Sequence, residues 1–234
     1  MHVWPVSIQA PDAVVEQFRA VLTPDETDRA GRFRFPHLQR AFILSRGVLR
    51  LLLGRYLNTA PGAIEFSYGS KGKPALAASE NRLQFNASHS GDLALYAFTM
   101  DCEIGVDVEA IRPMPDIEDV ARRFFCVEET AELMALPSAQ REHGFFLCWT
   151  RKEAYIKATG DGLSTPLDTF CVTLHPGEPA AMIHLKRDPT AARAWTLHNL
   201  IPAPGYAAAL AYRDSLRPLK TLPFFNPKQL LDFA

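Results

Sequence analysis

Residues 104–109 read Ile-Gly-Val-Asp-Val-Glu, a short β-branched run with two carboxylates two positions apart. Valine and isoleucine favour strands, and successive side chains on a strand point to opposite faces. Val106 and Val108 therefore share one face, and Gly105, Asp107 and Glu109 share the other. The first face has to be covered by a core. The second offers two hard oxygen donors beside a residue with no side chain, which suits a divalent cation or plain solvation, and the glycine would let a ligand approach the backbone.

The elements around this strand fall into two halves. In the first, a strand is expected over His2–Ile8, and Thr23-Pro24-Asp25-Glu26 starts a helix with Thr23 as N-cap and Glu26 completing a capping box. A longer helix is predicted over His37–Leu57, because Leu38, Phe42, Leu49, Leu52, Leu53 and Tyr56 recur at helical spacing; Arg46 and Arg50 then lie four apart on its polar face. Asn58–Gly62 reads as loop and Ile64–Tyr68 as a strand. In the turn Gly69–Pro74, glycines and lysines suit a phosphate without the spacing of a P-loop. Leu83–Asn86 and Leu93–Phe98 read as strands around a loop, Ala87–Asp92, in which His89 stands between Ser88 and Ser90. That histidine either binds a phosphate or stabilises its own turn.

Beyond the acidic strand, Pro113 and Pro115 mark a crossover. Helices are predicted over Glu128–Leu136 and Gly144–Thr159, the latter stopped by Gly160. Strands follow near Phe170–Leu174, Met182–Lys186, Trp195–Asn199 and Tyr206–Tyr212. The repeated order, helices then a short meander of strands, predicts an α+β architecture of two similar subdomains, 1–110 and 111–234. The tail from Leu216 carries Pro218, Pro223 and Pro227 and is expected to run extended over the surface.

Composition bounds the function. Lys plus Arg number 25 against 26 Asp plus Glu, a net charge of -1, which argues against a general nucleic-acid binder. Cys102, Cys126, Cys148 and Cys171 form no Cys-x-x-Cys pair, so neither a zinc cluster nor a disulfide framework is signalled, and a reduced, cytoplasmic protein is expected. The N-terminus lacks the pattern of a secretory signal, and the aliphatic cluster Val48–Leu53 is far too short for a membrane span.

A second motif, Trp149-Thr150-Arg151-Lys152-Glu153-Ala154-Tyr155-Ile156-Lys157, lies on the helix that ends at Gly160. Trp149, Glu153 and Lys157 are spaced by four and form one stripe. Glu153 and Lys157 are either an exposed ion pair or, with the stripe turned to the other half, a third carboxylate and a neighbouring cation.

Gly-Val-Asp-Val-Glu at 105–109, the 149–157 motif, Gly72-Lys73-Pro74 and Asn86-Ala87-Ser88-His89-Ser90 together resemble the 4'-phosphopantetheinyl transferases of the surfactin-activating (Sfp) type. The resemblance implies two α+β subdomains related by a pseudo-two-fold axis, with the site between them, in a monomer. It implies transfer of phosphopantetheine from coenzyme A to a serine of an apo acyl or peptidyl carrier protein, releasing adenosine 3',5'-bisphosphate. By matching position, Asp107, Glu109 and Glu153 would hold Mg²⁺, and Lys157 would contact the pyrophosphate. Ser88 and His89 would bind coenzyme A phosphates, Lys73 would lie near the adenosine, and Arg40 and Arg46 would meet the 3'-phosphate. Glu153 is the candidate base for the serine proton. Carrier proteins of this class are implied to present an acidic helix, for which Arg122 and Arg123 beside Phe124 and Phe125 are either a docking surface or two solvated arginines beside two core rings. Two rivals share these features: a Mg²⁺-dependent hydrolase or nucleotidyl transferase, and a non-catalytic binding module. Ala87 and Ala110 depart from the family pattern without removing a ligand.

Overall fold

The computed structural model describes residues 1–77, 82–185 and 190–232. The first half runs β1 (His2–Ser7), α1 (Asp12–Arg19), α2 (Pro24–Gly31), α3 (Pro36–Leu57), β2 (Phe66–Tyr68), β3 (Pro74–Leu76), β4 (Leu83–Ser90), β5 (Leu93–Met100) and β6 (Ile104–Ala110). The second runs α4 (Ile117–Phe124), α5 (Val127–Ala135), α6 (Ser138–Thr159), β7 (Phe170–Val172), β8 (Met182–Leu185), β9 (Thr196–Leu200), β10 (Tyr206–Tyr212), β11 (Lys220–Thr221) and α7 (Pro227–Leu231). Lys186, the last residue of one expected strand, lies outside the described residues. Among those residues no helix is long and apolar enough to cross a membrane.

One sheet has the order β11-β1-β5-β4 and another β6-β10-β9; β2-β3 and β7-β8 are separate hairpins. Period-two alternation assembles the layers. On β5, Ala94, Tyr96 and Phe98 join a core with α3, while Leu93, Leu95 and Ala97 turn inward to Val106 and Val108 of β6 and Leu210 and Tyr212 of β10. On β10, Ala207, Ala209 and Ala211 face the core built around α6. The two sheets therefore share an apolar middle, α3 covers one outer face, and α6 covers the other.

Several local expectations are met for the stated reasons. Glu26 accepts the Thr23 N–H at 3.1 Å in the capping box of α2. Gly160, at φ 78°, stops α6 in the left-handed conformation that glycine adopts without penalty. Val106 and Val108 do face the core while Gly105, Asp107 and Glu109 lie on the side of α6.

Other expectations are corrected. The segment read as a loop at Ala87–Asp92 is strand as far as Ser90, paired with β5 residue by residue to Leu93, so only Gly91 and Asp92 turn. Strand pairing therefore overrides the polar Ser-His-Ser composition. Helix α6 begins at Ser138, six residues before the expected start, and α1 and α4 are helices where none is expected, although Ile117, Val120, Ala121 and Phe124 recur at helical spacing. The tail is not merely surface chain. It pairs in parallel with β1, and Leu230 of α7 is buried against α3. The polar face expected for α3 is not solvated: Arg50 is 2% exposed and clamps buried Glu26 through Nε at 2.6 Å and Nη2 at 3.0 Å.

The cysteines are corrected as well. Cys126 is the N-cap of α5, which brings it against β7, where it forms a disulfide with Cys171 across 45 residues. Linear spacing hid this pair because their meeting is set by packing of α5 on β7. Closing a loop of that length stabilises the chain by about 4 kcal/mol in the chain-entropy description. Thiol titration of unfolded, unreduced protein should count two thiols, from Cys102 and Cys148. Prior reduction should count four and lower Tm, and Cys126→Ser should abolish that sensitivity to reductant.

Candidate active site

The site forms where α6 crosses β6. At Gly105 an added Cβ would lie 2.1 Å from the Ala154 carbonyl oxygen and 2.4 Å from the Ala158 nitrogen. Absence of a side chain there lets the helix backbone, not a ligand, approach the strand, which corrects the role expected for this glycine. Two residues along the same face, Asp107 is 4% exposed. Its Oδ1 accepts from Lys157 Nζ at 2.6 Å and from Ser88 Oγ at 2.8 Å. Lys157 Nζ also donates to Ser88 Oγ at 2.8 Å. An ammonium can only donate, so Ser88 accepts from Lys157 and commits its own proton to Asp107.

Asp107 Oδ2 is buried with no hydrogen-bond partner among the described residues. Burial pushes the Asp107 carboxyl above its ordinary range, opposed by Lys157 and Ser88. Glu153, half-buried on the same stripe of α6 as Lys157, has no hydrogen bond or ion pair among the described residues. Burial, and then the charge of Asp107, push it up as well, against the pull of Lys157. Glu109 Oε2 accepts from Ser90 Oγ at 2.7 Å and from Arg112 at 3.4 Å. Three acids from two elements thus face one region. They do not close to within 4.8 Å of one another, as Cys126, Glu128 and Cys171 do; those two sulfurs, however, are joined to each other and are not free thiolates. An open set with one buried, unsatisfied carboxylate oxygen fits a hard cation that other oxygens would help to complete.

His89 sits on the opposite face of β4 from Ser88 and Ser90 and touches two cavities. One, ≈ 280 Å³, is lined among others by Arg29, Arg46, Tyr68, Asn86 and Ser88. The other, ≈ 480 Å³, is lined by His37, Leu38, Arg40 and Asp92. Burial and the nearby Lys157 lower the His89 pKa, with Glu109 opposing. Arg40 and Arg46 are not brought together: Arg40 pairs with Asp12 and donates to the Ala10 carbonyl at 2.7 Å, whereas Arg46 binds Glu26 and Tyr68 and stacks 4.1 Å over Phe66. Lys73 does not point into either cavity. Its ammonium donates to the carbonyls of Ala158 at 2.9 Å and Ile104 at 3.1 Å, pinning the end of α6 to the start of β6.

Sequence reasoning missed Arg29, which lines the first cavity beside Arg46; its place three residues after the capping Glu26, on one face of α2, was the available signal. It also missed Asn86 and Ser90 as contacts of β6. Within the 149–157 motif only Glu153 and Lys157 face the site. Lys152 is wholly buried and pairs with Glu129 at 2.7 Å; Arg151, equally buried, donates to Asn199 and Thr173; Trp149 packs on Phe124 and Phe145. Phe125 is core, Phe124 is half-buried, and Arg122 and Arg123 are exposed, with Arg122 paired to Glu118.

Comparison with known proteins adds an independent line. A family model described as the 4'-phosphopantetheinyl transferase superfamily matches residues 103–211, and one described as 4'-phosphopantetheinyl transferase, N-terminal, matches residues 10–100. The chain is 42% identical over 213 residues to the 4'-phosphopantetheinyl transferase HetI of a Nostoc species, covering 90% of this chain and 86% of that protein. It is 32% identical over 160 residues to the 4'-phosphopantetheinyl transferase Sfp of Bacillus subtilis, covering 68% of this chain and 70% of that one.

Lys73 offers a measurement that needs no ligand. Burial lowers its pKa from 10.5 to about 8. Below about pH 8 both folded and unfolded chains hold the proton, and the folded chain bears the full cost of a desolvated charge. Between about pH 8 and 10.5 the unfolded chain binds more protons, so this lysine makes stability rise with pH. Urea unfolding of parent and Lys73→Met across that window should show the difference moving in the parent's favour as pH rises; parallel pH profiles would remove the assignment.

Proposed function

The chain belongs to the 4'-phosphopantetheinyl transferase superfamily, and from that membership we propose that it is an Sfp-type enzyme that transfers 4'-phosphopantetheine from coenzyme A to a serine of an apo acyl or peptidyl carrier protein. Phosphopantetheinyl transfer on a two-domain α+β fold is the family's property; donor, acceptor and product are the proposal. The observation that carries it is the meeting of Asp107 with Ser88 and Lys157, beside Glu153, with one Asp107 oxygen and the Glu153 carboxylate left without a partner among the described residues. We take residues 1–110 and 111–234 as the two subdomains, with the tail crossing back to the first, in a cytoplasmic monomer.

Asp107, Glu109 and Glu153 would hold Mg²⁺, consistent with a hard-oxygen donor set that has room for substrate phosphates and water. When bound, the ion would offset charge that develops on the pyrophosphate as its bridging bond breaks. Lys157, which now neutralises Asp107, would turn its ammonium to the pyrophosphate oxygens once that carboxylate has another partner. Ser88 at the seam and His89 at the cavity mouths would bind phosphate oxygens. Arg46, together with Arg29, would face the 3'-phosphate in the first cavity; Arg40, on the second cavity, would serve only if the adenosine end lies there. Lys73 would act near the adenosine by fixing α6 on β6.

The serine hydroxyl attacks the phosphorus that carries pantetheine, its proton passes to Glu153, and the bond to the departing adenosine 3',5'-bisphosphate breaks. Glu153 is suited to that role by position: it lies on the stripe of α6 that carries Lys157, and its carboxylate has no protein partner among the described residues.

Incubation with coenzyme A, Mg²⁺ and several apo carriers, followed by weighing the carriers, tests the reading. A gain of one phosphopantetheine is expected. Coenzyme A split without carrier would indicate a hydrolase, and unchanged masses a binding module. At saturating Mg²⁺, Glu153→Gln should leave coenzyme A affinity within about twofold while turnover falls at least about a hundredfold if Glu153 is the base, the signature of a contact made in the transition state; if it is chiefly a metal ligand, the Mg²⁺ requirement should rise and excess metal restore much of the rate. Parent-like turnover would remove Glu153 from the site.

Exposed Arg122 and Arg123 are proposed to meet the acidic face of the carrier. Reversing both to Glu should raise the KM for carrier at low salt and leave that for coenzyme A unchanged, with the effect shrinking as salt screens exposed charge. An unchanged carrier KM at low salt would move the docking site elsewhere.

A further inference from the structure

Strands β4 and β6 lie side by side at the site, yet they share no backbone ladder: each is the edge strand of a different sheet. An edge strand presents unpaired N–H groups, and buried ones have to find partners. Here side chains supply them. Asn86 Oδ1 accepts the Val106 N–H at 2.9 Å, and Ser90 Oγ accepts the Ala110 N–H at 3.1 Å. Both contacts span 20 residues of sequence, so the two strands run in the same direction at a fixed offset. Between them, Ser88 reaches Asp107 at the offset of 19 that Ser90 also keeps to Glu109. Asn86, Ser88 and Ser90 are alternate residues, all on the inner face of β4, opposite β5 partners Ala97, Leu95 and Leu93 that lie in the apolar middle. The apolar middle thus gives way to a polar seam at this edge.

We propose that Asn86 and Ser90 are positioning residues: their side chains take the place of a ladder and set the register of the strand bearing Ser88 and His89 against the strand bearing Asp107 and Glu109. The inference rests on the reading of those four as phosphate and metal contacts. Ser90 carries the more specific part. A backbone N–H can only donate, so the Ser90 oxygen accepts from Ala110, and its single proton is committed to Glu109 Oε2. One rotor orientation therefore turns the carboxylate and leaves Oε1 for a ligand. Outer hydrogen bonds of this kind, when removed, cost about 10- to 100-fold in metal affinity or activity. Asn86 acts on the strand instead of on one carboxylate. Asn86 is 6% exposed, and without its side chain the Val106 N–H is left buried and unpaired.

The two roles predict different measurements. Coenzyme A binding is followed calorimetrically with and without Mg²⁺, and the Mg²⁺ concentration that gives the half-maximal gain in affinity is read for each variant. Ser90→Ala should raise that concentration at least about tenfold, with metal-free coenzyme A affinity close to the parent and Tm modestly lowered, because the Ala110 N–H loses its acceptor. Ser90→Thr, which keeps the hydroxyl, should restore it. Asn86→Leu should weaken metal-free coenzyme A binding and the Mg²⁺ response together, and Asn86→Asp, which keeps an acceptor for Val106, should recover the larger part of both. A Ser90→Ala protein that titrates with Mg²⁺ like the parent overturns the role of Ser90, and failure of Asn86→Asp to recover more than Asn86→Leu overturns that of Asn86. A parent whose coenzyme A binding ignores Mg²⁺ overturns the metal reading itself, and with it this inference, a result distinct from either variant's failure.

Discussion

The closeness of α6 to β6 governs the rest of the molecule. With 2.1 Å between a notional Cβ of Gly105 and the Ala154 carbonyl, any larger residue at 105 would push the helix off the strand. Glu153 and Lys157 would retreat with it, because they ride on the same helix within one turn of that contact. Lys157 reaches Asp107 at 2.6 Å and Ser88 at 2.8 Å, distances that leave no slack for such a shift. Lys73, bonded to both Ile104 and Ala158, fastens the same crossing from the first half. The site is thus a consequence of one tight helix–strand crossing with a lysine at its end.

Buried charge divides into structural and reactive sets by whether partners are complete. Lys152 meets Glu129 and two carbonyls, and Glu129 also accepts from the backbone of Cys126 and Val172, so the pair ties α6 to α5 and β7 with little left unsatisfied. Arg50 and Glu26 do the same between α3 and α2. Breaking such a pair from one side costs about 3–5 kcal/mol, far above the 0–1 kcal/mol of an exposed ion pair such as Arg122 with Glu118. Asp107 and Glu153 differ in kind. Each is pushed up by burial, yet one oxygen of the first and the whole carboxylate of the second lack protein partners among the described residues. Incomplete satisfaction at matched positions is where substrate and metal have something to contribute.

The sequence was legible where a local rule decided the outcome. Alternation on Ile104–Glu109 sorted valines from carboxylates correctly, and spacing by four placed Glu153 and Lys157 on one stripe. The capping box at Thr23 and the glycine after Thr159 fixed two helix ends. It was illegible where a distant partner decided. Ser88-His89-Ser90 has the composition of a turn and becomes strand because β5 pairs with it. Arg50 looks like a solvated helix residue and is buried because Glu26 comes to it from another helix. Cys126 and Cys171, 45 residues apart, meet only when α5 docks on β7.

That strand assignment changes the chemistry as well as the fold. In a loop, Ser88 and His89 could converge on one phosphate; on a strand they face opposite sides, Ser88 toward Asp107 and Lys157, His89 toward the cavities beside α3. Both nonetheless line the first cavity, so a ligand there meets Ser88 at the carboxylate seam, His89, and Arg46 with Arg29. Separated negative charges on one ligand would match the two ends of this region, the lysine at the seam and the arginines in the cavity. The seam and the cavity meet at this point because side chains of Asn86 and Ser90, not a backbone ladder, join β4 to β6.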